Sequence, residues 1–216
     1  CIFFDDILDK DWVDDVDRLS VEPKKVDPSD MLGPDDIKEL ITACRHQRDV
    51  ALIEFLADTG ARLGLVLSLR VKDVDLEGDR ATYRPNSDAV GLKDAEIKPY
   101  PIIDSAATLR GYLRETHPRA DDPDAALFHK IQHYDADGDG EAAPSHARQT
   151  LLRIADRSTV DKPVNPHNFR HSAITRMFRE GYSRGQIQHR VQWTIDTDMW
   201  DRYVHLTAEE LNEDIF

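Results

Sequence analysis

Ile37, Leu40, Ile41 and Cys44 are apolar and fall three and four apart, which puts them on one face of a helix. Gly33 and Pro34 precede them and Asp35 and Asp36 follow, a proline and acids being the usual chemistry of a first turn. VALIEFLADTG, at 50–60, is apolar on most sides and stops at a glycine, so it reads as a second, more buried helix. ARLGLVLSLRV continues as a third. From Val71 the period falls to two: VKDVDLEGDRATYRP alternates around Glu77-Gly78-Asp79, the pattern of a hairpin. AEIKPYPII is a further strand, confined by its prolines to a sheet edge. Helical spacing returns over 104–116, about 145–158, 167–180, 183–191 and 195–203. Helices, a small antiparallel sheet, then helices again predict an α+β fold, mainly α-helical.

Composition narrows the class. With 40% hydrophobic and 32% charged residues in 216, the chain is long enough for one sizeable core under a crowded charged surface. No apolar run is long enough to cross a membrane, and CIFFDDILDKDW lacks the basic start of a secretory signal. Two cysteines, Cys1 and Cys44, make no disulfide framework, so a reducing cytoplasm is expected. The chain begins without Met, which points to a fragment. Residues 1–33, acidic and ending in VEPKKVDPSDMLGP, read as a linker or the end of a preceding domain.

The formal net charge of -14 would repel nucleic acid. Its acids are spread over many loops rather than gathered in one tail, which favours adaptation to a salt-saturated cytoplasm over an acidic partner-binding module. The balance is also uneven. Residues 161–205 hold seven Lys/Arg against five Asp/Glu, and four histidines besides.

That segment contains PHNFRHS at 166–172. His167, Arg170, Ile174 and Met177 or Phe178 share a helical stripe, so His167 and Arg170 lie at the edge of the core by a helix N-terminus, where free N–H groups and the dipole attract anions. The plain alternative is that His167 caps the helix and Arg170 pairs with an aspartate. DTGARLGL places Arg62 after a glycine at another helix start, a second donor suited to phosphate. Lys93 lies between the strand candidates, and Trp193 precedes Tyr203 by ten residues. Taken alone, Trp193 reads as core and Tyr203 as a half-buried helix aromatic. His167 and His171 are four apart, but Asn168 stands where a zinc-protease motif needs glutamate. DADGDGEAAPSH opens like a calcium loop, yet its twelfth position is His146, and a solvated acidic loop is the better reading. Arg148, in HARQ, is a further candidate for facing DNA.

In their order along the chain these positions resemble the tyrosine recombinases, also called phage integrases, over roughly residues 34–216. TGAR is similar to that family's first arginine box, Lys93 before Pro101 to its hairpin lysine, and HNFR to its HxxR box. VQW matches its His-or-Trp position at Trp193, and RYVHL its nucleophile at Tyr203. There are departures. Leu65 stands where an acid is usual, Lys98 where arginine is more common, and VQW lacks the usual glycine.

The resemblance implies a catalytic fold with a small three-stranded antiparallel sheet at one edge. Residues 1–33 would be an acidic linker or the remnant of a DNA-clamping domain, and about 207–216 a tail helix that docks on a neighbouring subunit. It implies cleavage and rejoining of double-stranded DNA through a 3′-phosphotyrosine, with no metal, cofactor or ATP, by a chain that assembles as a homo-tetramer on DNA and can be a monomer alone. Arg62 and Arg170 would grip the non-bridging oxygens, His167 handle a proton, Lys93 protonate the departing 5′ oxygen, and Trp193 donate its indole N–H. A type IB topoisomerase would use the same chemistry without a defined site. A non-catalytic DNA-binding regulator with a decayed site is kept open by Leu65.

Overall fold

A computed structural model of the chain describes residues 27–78, 80–85, 97–130 and 142–192. In chain order they form α1 (Pro34–Thr42), α2 (Gln47–Thr59), α3 (Leu63–Ser68), β1 (Val74–Asp75), β2 (Thr82–Tyr83), β3 (Tyr100–Pro101), α4 (Ala106–Glu115), α5 (Pro144–Ala155), α6 (Pro166–Arg179) and α7 (Arg184–Arg190). The expected sequence of helices, small sheet and helices is present. The expected helix at 195–203, the tail at 207–216 and the Asp-rich loop from Asp135 lie outside the described residues.

The third helix is shorter than its apolar run suggests. It ends at Ser68, and Leu69 turns extended (φ -64°, ψ 139°). Arg70 then bridges to Ala126, and Leu127 N donates to Leu69 O at 2.8 Å. Tertiary pairing has overridden a continuous apolar pattern that periodicity cannot split. Cys44 likewise falls past the end of α1; its thiol donates to Leu40 O at 3.3 Å from a half-buried position.

The sheet is antiparallel in the order β1-β2-β3, so the proline-bearing β3 is an edge strand, as Pro101 requires. Strands of two residues cannot stand on ladder bonds alone. Tyr83 and Tyr100 anchor them in the core, with Tyr83 meeting Phe55 of α2 edge-on at 5.1 Å and Tyr100 at 5.6 Å.

Most of the core lies between α2, α3, α4 and α5, around Phe55, Leu56, Leu109, Phe128 and Leu151. A smaller cluster of Ala173, Ile174, Met177, Ile187 and Val191 joins α6 to α7. A helix as short as α7 has little stability of its own; burial of Ile187 and Val191, about 1.5–3 kcal/mol each, helps hold it down. The segment ahead of α1 is stitched to α6. Leu32 N donates to Ser172 Oγ at 2.8 Å, and Asn168 Nδ2 donates to Asp30 O at 2.7 Å. Lys162 Nζ reaches Met31 O and Asp36 from the loop before α6.

Below α4, Tyr112 donates its hydroxyl proton to Leu127 O at 3.0 Å, which leaves His129 Nδ1 as donor to the phenol oxygen at 2.8 Å. Burial, then the charges of His117 and Arg48, push His129 from 6.5 down to about 4; burial also lowers His117. Between those two values the unfolded chain takes up a proton that the folded chain refuses, so stability is full above about pH 6.5 and falls as pH drops toward 4. Thermal midpoints measured across that window should decline with acid, and His129→Asn should remove much of the slope.

Candidate functional site

The site is built around the turn that follows α2. Gly60 closes that helix in the left-handed conformation (φ 60°), as a helix C-terminus prefers. Thr59 shapes the turn, donating from Oγ1 to Phe55 O at 2.7 Å and accepting from Ala61 N at 3.2 Å. A side chain at Gly60 would begin 3.0 Å from Ala173 Cβ and 3.2 Å from Val191 Cγ1. The glycine is therefore demanded twice, by its φ and by the close approach of α6 and α7.

Into this turn comes Arg170. Its side chain is buried, and Nη1 donates to Gly60 O at 2.7 Å across 110 residues of sequence. Arg62, two residues beyond Gly60, is the N-cap residue of α3. It is half-buried, and among the described residues its guanidinium has no hydrogen-bond partner. His167 stands one turn before Arg170 on α6, exposed and likewise without a partner among the described residues. It does not cap the helix. Asn165 does, its Oδ1 accepting from Asn168 N at 3.0 Å. Two widely separated sequence boxes thus meet through the bond from Arg170 to Gly60 O, with Arg62 half-buried two residues past that glycine and His167 exposed one turn before Arg170. Lys93, Trp193 and Tyr203 lie outside the described residues.

The faces of α6 divide the labour. Arg170, Ile174 and Met177 look into the core, and His167 looks out. Asn168 and Ser172, four apart, hold the backbone of residues 30–32. Leu65, at the position where an acid was expected, is 2% exposed and belongs to the main core. A carboxylate so deeply buried would need partners of its own, as Asp58 has.

Two contributors carry no sequence signal of the expected kind. Asp58, just before TGAR, is 1% exposed and accepts from Ile103 N, Ser105 N and Ser105 Oγ at 2.9, 3.1 and 2.9 Å. Its other oxygen takes Arg190 Nη2 at 2.8 Å. One carboxylate thereby joins α2, the β3–α4 connection and α7. An aspartate inside a helix predicted to be buried was the available clue, since such a charge needs partners. Gln192 is the other. It holds φ 52°, a costly conformation for a side-chain-bearing residue, at the place where the family resemblance leads one to expect glycine. Its Nε2 donates to Tyr83 Oη at 2.7 Å in a buried setting, which offsets part of that cost. Burial first, then Tyr100, raises the Tyr83 phenol above its ordinary value, against Arg170 and Arg190. Those two arginines, Tyr83 and Asp58 therefore share one electrostatic neighbourhood.

Residues 30–210 match the family model described as Phage integrase family. The chain is 26% identical over 191 residues to tyrosine recombinase XerD of Listeria monocytogenes serotype 4b (strain F2365), covering 85% of this chain and 60% of that protein. The crystal structure of XerA recombinase superposes with a TM-score of 0.62 at 24% identity, covering 85% of this chain and 62% of that one. The crystal structure of a lambda integrase tetramer bound to a Holliday junction gives a TM-score of 0.53 at 15% identity, over 77% of this chain and 47% of that one. The chain thus spans about 60% of the length of the XerD it matches.

Proposed function

The chain belongs to the phage integrase family, and on that premise we propose that it is the strand-transferring part of a site-specific DNA recombinase, with Tyr203 as its nucleophile. The Tyr203 oxygen attacks phosphorus, the bond from phosphorus to the 5′ oxygen breaks, and a 3′-phosphotyrosine forms. The phenol, whose ordinary pKa is near 10, gives up its proton to His167 or to the phosphate. Lys93 supplies the proton that the leaving 5′ oxygen takes. Arg62 and Arg170 stabilise charge on the two non-bridging oxygens, and Trp193 adds an indole donor. The phosphotyrosine retains the energy of the broken bond, so rejoining to another strand consumes no ATP.

The observation that carries this reading is the bond from Arg170 Nη1 to Gly60 O, which brings the HxxR helix to the TGxR turn. On the same reading residues 34–216 are the catalytic domain, and residues 1–33 an acidic linker or the remnant of a DNA-clamping domain. Double-stranded DNA is the partner and a homo-tetramer the working assembly, as the lambda integrase structure supports. The dispersed acid and the net charge of -14 fit a cytoplasm rich in salt.

The test uses a randomised pool of duplexes, each nicked so that the freed end diffuses away. Incubation in concentrated KCl should yield a denaturant-resistant adduct, whose sequenced DNA reports the target. Peptide mapping should place the linkage on Tyr203. No adduct, or a linkage on another residue, overturns the assignment.

A further inference from the structure

The two segments that the proposed chemistry needs, one carrying Lys93 and one carrying Trp193 and Tyr203, are rooted side by side. The first leaves the sheet after β2 and returns at β3; the second follows α7. Where they are rooted, α7 and the sheet are joined twice. Gln192 Nε2 donates to Tyr83 Oη at 2.7 Å, and the His189 ring lies 5.2 Å from that of Tyr100. Tyr83 is 1% exposed and Gln192 4% exposed, so water cannot replace the bond, and a lost partner leaves a buried polar atom unpaired. Two neighbouring contacts fix the same stretch: Arg190 on Asp58, and Val191 against Gly60. Gln192 holds a left-handed backbone at the residue just before Trp193, where glycine would relieve the strain but would forfeit this bond.

We propose that the Tyr83–Gln192 hydrogen bond is a positioning joint that sets the Lys93 segment and the Trp193–Tyr203 segment against one another for strand cleavage. Neither residue touches the phosphate. Tyr83 fixes the root of one segment, Gln192 the root of the other, and the bond keeps their separation constant. The proposal rests on the strand-transfer reading above.

A double-mutant cycle tests it on the 216-residue chain. Tyr83→Phe removes one oxygen. Gln192→Met removes the amide at nearly the same volume and retains a side chain in the left-handed backbone. With DNA recovered from the adduct pool, the rate of adduct formation at saturating DNA is measured for each variant, together with DNA affinity and the folded fraction. Each single variant should lose about tenfold in rate, and the double variant no more than either, because one bond is lost in all three. DNA affinity should change less than twofold. Unaffected rates in the single variants, losses that multiply in the double variant, or losses that vanish once corrected for the folded fraction would each overturn the joint alone. No adduct from the unaltered chain overturns the strand-transfer reading and the joint with it.

Discussion

Arg170→Lys should slow covalent adduct formation by about a hundred- to a thousandfold, the loss typical of removing one donor that faces developing charge. Arginine can lend one arm of its fork to the protein and another to a phosphate. Here Nη1 is committed to Gly60 O at 2.7 Å. A lysine ammonium has three donors but gathers them on one atom of a shorter arm, so it cannot span the two positions that the arms of the fork reach. Because the charge is kept, binding of DNA before cleavage should weaken far less than the cleavage rate. Single-turnover assays against DNA concentration separate the two, and an equal loss in both would contradict the assigned role.

Asp58→Ala should lower stability by about 3–5 kcal/mol, the cost of breaking a buried ion pair from one side. It leaves the Arg190 guanidinium, 7% exposed, without its carboxylate and strands the N–H groups of Ile103 and Ser105. For a chain of this size the thermal midpoint should fall by roughly 10 °C. Since the pair is shielded from ions, added salt should change the size of this loss little, whereas salt screens an exposed pair such as Lys38 with Asp35. Adding Arg190→Met should recover part of the loss by removing the orphaned charge, though the two amides would stay unpaired. Calorimetry on the single and double variants decides between these outcomes.

How much of this the sequence disclosed depends on how local the cause was. Helix starts were readable where a proline and acids mark them, as at Gly33-Pro34-Asp35-Asp36, and the end of α2 at Gly60 because a left-handed C-cap favours glycine. The edge position of β3 followed from the missing N–H of Pro101. The end of α3 was not readable, because Leu69 leaves the helix to pair with Leu127, a partner nearly sixty residues away. The site shows the same division. Arg62, His167 and Arg170, the described residues proposed for the chemistry, stand out by residue type and spacing. Their supports did not: Asp58 looks like an ordinary helix aspartate until Ser105 and Arg190 close on it. Gln192 looked like a mere exception to a glycine rule until its φ and its bond to Tyr83 were known.

The stitching of residues 30–32 to α6 carries a mechanical consequence. Asn168 and Ser172 tie that stretch to the same rigid rod that bears His167 and Arg170, not to a pliable surface turn. A pull or twist arriving along the chain from upstream is therefore delivered to the rod itself, and the two groups at its tip feel it first.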